Sequence, residues 1–465
     1  GNGRFQKTPA EFSALDATSQ LKELANIDCL MCHQQAYKRF PDWTASGLGF
    51  QSFDLLNVTL APDGVTLVKA LGQKVTRSGL QGIPIVDPTT KDFEFRPSGA
   101  PGSLQFALPA NAPQPPMALT TEQAAQSVHR TNRASCLNCH AKAAASDGAK
   151  RGDLSSALVN PPVALDMHMS PDPGGANLTC SSCHNVNGTD GKSLHRVKGR
   201  GLDLRANDVA TRFTCDNAGC HTSTPHPTSM TNAAAINRHT AKVACQTCHI
   251  PTYAKVVNGV GIPTETVRDW STSNVSQSAC NGRGGWLPEE VKASNLRPTY
   301  QWFDGTSQVY YLGEKLSIAA GGSRNVPTKP LQVAFADVLG MPANTPAYVL
   351  GSPNGAINNA AAKIYPMKEH WGKLARDPRT DTIIPQSTFE FFRTGSFCRA
   401  VAKGLGKADN ELDVLCPNQD SPIPDEAEEV AVHTYQTINH GVERQANALG
   451  ANNQCNHCHA GSGST

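Results

Sequence analysis

Six times in this chain a pair of cysteines is followed at once by a histidine. That repetition restricts the possible folds more than any other feature. The groups are Cys29 and Cys32 with His33, Cys136 and Cys139 with His140, and Cys180 and Cys183 with His184. Then come Cys215 and Cys220 with His221, Cys245 and Cys248 with His249, and Cys455 and Cys458 with His459. C-x-x-C-H is the attachment site of a c-type haem. Its two thiols add across the porphyrin vinyl groups. The histidine becomes the proximal iron ligand, and axial ligands set much of the iron's chemistry. The fourth group has a longer gap, and Gly219 before its second cysteine can adopt the backbone angles the longer loop needs. A zinc site needs about four converging ligands per metal, which this repeated group does not offer. Twelve of the 15 cysteines lie in these groups, so six covalently bound haem c are expected.

A chain of 465 residues could form two to four ordinary domains. Six haems change that expectation, because each buries a wide apolar surface and takes the place of side chains in the core. A hydrophobic content of 39% then suffices, and 39 Gly with 32 Pro point to loops. The expected fold is mostly irregular and loop-rich, with short α-helices and a few small β-hairpins around a haem-dominated core. Residues 1–135 carry the first haem and a haem-free stretch of loops and small strands. Residues 136–249 form a four-haem core, 250–454 are haem-free, and 455–465 hold the last haem and a tail, all in one continuous unit.

Local signals refine this division. Residues 18–33 and Thr120–His129 read as helices entering haem motifs, and Pro109–Pro116 as an extended connector. Tyr300–Phe303 and Ser307–Tyr311 flank Asp304-Gly305, which predicts a hairpin over 300–311. Pro424–Glu429 puts a proline and acids where a helix would start. A helix over about 424–449 follows, ending at Gly450, with His433 and His440 on one face.

The formal charge of +2 gives no reason to expect a nucleic-acid partner. With twelve propionates the holoprotein would carry roughly −4 oxidised and roughly −10 reduced. No apolar run is long enough for a membrane span. Haem c is attached outside the cytoplasm, so the chain reads as exported, its leader removed, to the periplasm, the cell surface or the extracellular space. Nine histidines remain beyond the proximal six: His129, His168, His195, His226, His239, His370, His433, His440 and His457. Six would close every iron as bis-His. Of the other cysteines, Cys398 and Cys416 are the expected disulfide, worth roughly 3 kcal/mol in the loop-entropy model. Cys280 is left as a buried thiol or an intermolecular link.

Several phrases resemble the octahaem tetrathionate reductase family, relatives of hydroxylamine oxidoreductase. They are Arg151-Gly-Asp-Leu154, Asp166-Met-His-Met-Ser170, Asn177-Leu-Thr-Cys180, His195-Arg-Val-Lys-Gly199 and the run from Asn237 to Pro251. Pro298–Trp302, Ala362–His370 and Ile438-Asn-His440-Gly-Val match as well. The resemblance implies an exported multihaem protein with distal ligands at His168, His195, His226, His239, His370 and His440. His129, His433 and His457 are then in reserve. The family has eight haems, one of them catalytic with a lysine ligand. Here there are six, no C-x-x-C-K, and Arg151 where the family phrase has histidine. Fold kinship does not carry activity with it.

Three functions compete. One is an electron carrier of closely packed bis-His haems, in its sharper form an extracellular filament of identical subunits with a reserve histidine donated across the interface. Another is a reductase of a sulfur or nitrogen oxyanion with one open haem. A subunit docking to a membrane quinol oxidase or porin conduit is a third. Partners are accordingly other redox proteins or identical subunits.

Overall fold

The computed structural model describes residues 129–141, 147–149, 153–187, 193–197, 214–216, 220–276, 285–317, 326–451 and 454–459, together with five short strands between 58 and 107. For 185–187, 193–197, Asn138, Cys139 and those five strands it describes the backbone only. The motif at Cys29–His33, the expected helices before His33 and His129, the Pro109–Pro116 connector and Cys280 lie outside the described residues.

The chain divides into two units. The first, Gly1–Cys136 with Ser276–Gly285, contains two small antiparallel sheets. In one, Val58–Leu60 pairs with Leu67–Lys69. In the other, Leu80–Ile83 lies between Thr76–Arg77 and Gln105–Ala107.

The second unit, Leu137–Val275 with Trp286–Thr465, is dominated by a nine-stranded mixed sheet. Its strands are β1 (Thr264–Ser276), β2 (Gly285–Ala293), β3 (Thr299–Phe303), β4 (Ser307–Val309) and β5 (Thr328–Pro330). They continue with β6 (Pro346–Pro353), β7 (Lys363–Asp377), β8 (Thr382–Ile383) and β9 (Glu428–Thr437). The main path runs β2-β1-β7-β9-β6-β4, with β3 and β8 on β7 and β5 on β6. β7 and β9 are antiparallel from Met367 opposite Thr437 to Arg376 opposite Glu428. Alternation along β9 sends Ala431 into one apolar cluster with Val267, Leu339 and Trp371, and Val430 and Val432 into another with Tyr310, Leu316 and Ile383. Both faces of the central strands are therefore buried.

The helix expected over 424–449 is not there. Only a turn follows Pro424, closed by Ala427 N–H donating to the Pro424 carbonyl at 2.8 Å. β9 then runs through Val430, Val432, Thr434, Tyr435 and Thr437, β-branched and aromatic residues that suit a pleated surface. Ten paired residues on β7 outweigh a capping signal worth about 1 kcal/mol. His433 and His440 accordingly share no helix face.

The 300–311 hairpin is also corrected. Both strands and the turn exist, with Gly305 at φ 87°. However, β3 pairs with β7 and β4 with β6. Asn354 accepts from Asp304 N–H at 2.7 Å and donates its own N–H to Thr306 O at 2.9 Å, so the end of β6 occupies the mouth of the turn. The sheet as a whole is larger than a few small hairpins.

Short helices carry the motifs: α1 (Arg133–His140), α2 (Cys180–Cys183), α4 (Cys245–His249) and α9 (Asn456–His459). Between α2 and α4, α3 spans Ala233–His239. α5 (Val333–Leu339) packs on the sheet. α6 (Thr388–Thr394), α7 (Phe397–Gly404) and α8 (Asp409–Leu415) form a helical corner. There Cys398 and Cys416 are joined by a disulfide, with Cα atoms 5.7 Å apart. Among the described residues no helix is long and apolar enough to cross a membrane.

Candidate haem centres

Backbone contacts from the sheet and from the chain leaving it hold the motif helix α4. Ile364 at the start of β7 accepts from Ala244 N–H at 3.0 Å and from Thr247 Oγ1 at 2.8 Å, which anchors α4. Past β9, Glu443 N–H donates to His249 O and Leu449 N–H to Cys248 O, both at 2.8 Å. The chain leaving the sheet thus lies along the haem motif of α4.

Four proximal histidines each face one other histidine. Ring centroids are 6.1 Å apart for His221 and His168, and 6.2 Å for His184 and His440. They are 6.3 Å apart for His249 and His226, and 6.0 Å for His459 and His239. General aromatic contacts spread over about 4.5–7 Å; these four fall within a far narrower span. Two metal–imidazole bonds of about 2.0–2.1 Å, with roughly 1.1 Å from each nitrogen to its ring centre, place centroids about 6.3 Å apart. The spacing fits one iron between each pair.

Side-chain oxygens orient two of the facing rings, those of His440 and His226. Asp153, 1% exposed, accepts from His440 Nδ1 at 3.0 Å through Oδ2. The same oxygen accepts from the backbone N–H of Asn439 at 2.5 Å and of His440 at 2.9 Å. Asn237 Oδ1 takes the corresponding role for His226 Nδ1 at 2.8 Å. Asp166 spans two sites. Its Oδ1 accepts from the N–H of His168 at 2.8 Å and Met169 at 2.9 Å, and its Oδ2 from Gly441 N–H at 2.7 Å. One buried carboxylate therefore fixes the loops of both His168 and His440. Burial lowers the pKa of His168 and of His249, favouring the neutral ring a metal requires.

Shared holders join the centres in pairs. Asp166 holds the loops of both His168 and His440, so the motifs ending at His221 and His184 are neighbours. α3 carries Asn237, which holds His226, and ends at His239, so the motifs ending at His249 and His459 are neighbours.

Other expected ligands lie elsewhere. His370, on β7, bonds Glu265 Oε1 at 2.8 Å through Nε2, and among the described residues no proximal histidine faces it. Around it Arg268 bridges Glu265 and Glu290 at 2.7 and 2.8 Å. Fully buried Lys368 contacts Thr264 Oγ1 at 3.0 Å, and burial pushes its pKa down to about 7. His433 is fully buried in the sheet, its ring 4.4 Å from that of Trp371 and 4.5 Å from that of Tyr435. The rings of Trp371 and Tyr435 enclose it within the sheet. His129 sits beside Arg130 O, and His457 accepts from Gly450 N–H at 3.4 Å. The side chains of His195 and Cys139 lie outside the described residues.

Sequence reasoning missed Asp153, Asp166, Asn237 and Glu265. Three of them stand in phrases already singled out, Arg151–Leu154, Asp166–Ser170 and the run from Asn237. Those phrases were the signal; no fixed spacing was, since Asp153 lies 287 residues from His440 and Asn237 lies 11 from His226. Metal-bound histidines commonly use their second nitrogen on such a partner.

Residues 289–462 match the family described as Cytochrome c bacterial. The structure is similar to the crystal structure of octaheme cytochrome c from Shewanella oneidensis, with a TM-score of 0.51 and 27% identity, covering 81% of this chain and 74% of that one. No curated protein matches. Attachment motifs, facing histidines and both similarities agree: the chain is a multihaem c-type cytochrome.

Proposed function

We propose that the protein carries six covalent haems and passes single electrons along them outside the cytoplasm. The four facing histidine pairs carry this reading, because an iron closed by two histidines has no position for substrate. His168, His226, His239 and His440 are the distal ligands opposite His221, His249, His459 and His184. His195 and His370 are proposed for the irons of His33 and His140. His370 would use the nitrogen that Glu265 does not hold. The last motif, with residues 454–459 all exposed, suits an electron exit to another redox protein or an identical subunit, in the sharper form a filament. A haem-dominated core remains part of the proposal.

Haem counting on the purified holoprotein, by mass and by its alkaline pyridine spectrum, should give six per chain, with low-spin ferric signals in electron paramagnetic resonance. A count of four or fewer, or mostly high-spin iron, would sink the reading. An oxyanion reductase is the second reading, favoured by buried Lys368 and Arg268 close to His370. It requires a high-spin haem and reoxidation of the reduced protein by an added oxyanion.

A further inference from the structure

His440 and His226 are held in the same way by chemically different partners. Each ring faces a proximal histidine at 6.2–6.3 Å, and each Nδ1 meets a side-chain oxygen at 2.8–3.0 Å. For His440 the oxygen belongs to a carboxylate, Asp153, and for His226 to a neutral amide, Asn237. Asn237 is fixed in that role, since its Nδ2 donates to His226 O at 2.9 Å. Asp153 is enclosed, and its Oδ1 has no hydrogen-bond partner among the described residues. The carboxylate thus meets His440 in a poorly solvated place, where charge acts strongly.

We propose that Asp153 is a positioning residue that sets the reduction potential at the His184–His440 centre below that at the His249–His226 centre. The inference rests on the bis-His reading of both pairs. A carboxylate accepting the Nδ1 proton makes the imidazole a more basic ligand, which favours ferric over ferrous iron. The buried negative charge acts in the same direction, and second-shell hydrogen bonding is an established lever on haem potential. An amide gives neither effect in full. Each couple exchanges one electron with its neighbour, and the Nδ1 proton stays on the ring. Asp166 places the His184 centre beside that of His221, and α3 places the His249 centre beside the exposed one of His459. The Asp153-to-Asn237 step therefore biases electrons toward the exposed centre.

Spectroelectrochemical titration of the holoprotein tests this with Asp153→Asn and Asn237→Asp. Asp153→Asn should move one low-potential component upward and leave the remaining components in place. Asn237→Asp should move a different component downward. Haem count and low-spin spectra are recorded on each variant. If both are intact and neither variant moves a component, the inference is overturned while the bis-His reading stands. If a high-spin signal is present in the unaltered protein at these centres, the bis-His reading fails instead. Should Asp153→Asn not mature, the Asn237→Asp titration decides alone: no downward shift overturns the proposal.

Discussion

The sheet and the haem-motif segment of the same unit are stabilised by different means. In the sheet, the pairing of β7 with β9 and apolar clusters on both faces bury Val267, Leu331, Leu339, Trp371 and Ile383 almost completely. Between 137 and 249 the described core is thinner: Leu137, Leu158, Leu165 and Met169, with motif helices of four and five residues. Such helices are too short to persist on their own. What fixes this segment from within the chain is buried polar bonding, above all Asp153 and Asp166 to backbone N–H groups. The sheet can stand on protein alone, whereas the motif segment is shaped to close around something else.

The largest test of that contrast is haem removal. Expression without covalent haem attachment should leave the amides of β7 and β9 slow to exchange. The amides between 153 and 249 should exchange at rates near those of unfolded chain. Hydrogen exchange read by mass spectrometry distinguishes the two segments. Equal loss of protection in both would mean that the haems hold the whole unit, and the comparison would fall. The converse comes next in size. Trp371→Ala empties a fully buried site between Phe335 and His433 and should cost about 3–5 kcal/mol in denaturant unfolding. Its haem spectrum should match that of the unaltered protein. A changed Soret band would show that the sheet core and the haem sites are not separable.

The contrast also explains what could be read from sequence. Covalent sites are local chemistry, so Cys180, Cys183 and His184 announce themselves within five residues. The ring that faces His184 comes from far along the chain, since His440 lies beyond every strand of the sheet in sequence. It was legible because the phrase around it matched a family, not because of its spacing. β9 was misread because the sequence before it, Pro424 to Glu429, imitates a helix start, while its real partner lies some sixty residues upstream in β7. Sequence does not show that Glu265 would hold one nitrogen of His370, or that the sheet would enclose His433. Asp153 was overlooked for a related reason. A ligand's partner has no motif of its own, only a distance.

The smallest expected effect concerns a part of the sheet unit that uses ionic rather than apolar bonding. At the α6–α7 corner Glu390, 6% exposed, bonds Arg393 and Arg399, each at 2.8 Å. Burial alone would raise its pKa. The two guanidinium groups outweigh that and hold it below the ordinary glutamate value. A depressed carboxyl pKa adds stability that is complete above the unfolded-state pKa and is lost as pH falls through the folded-state one. The corner should therefore loosen on acidification below about pH 4.5, the ordinary range of a free glutamate. Arg393 is largely exposed, so its share is discounted for solvent screening. Glu390→Gln should cost about 1–2 kcal/mol at neutral pH, mostly through Arg399. It should also flatten the acid limb of the stability curve, measured by urea midpoints between pH 3 and 7. Because the disulfide of Cys398 and Cys416 closes the same corner, the loss should remain local and leave the haem spectrum untouched. An acid limb as steep in Glu390→Gln as in the unaltered protein would assign the acid sensitivity to the motif segment, where Asp153 and Asp166 are the buried carboxylates.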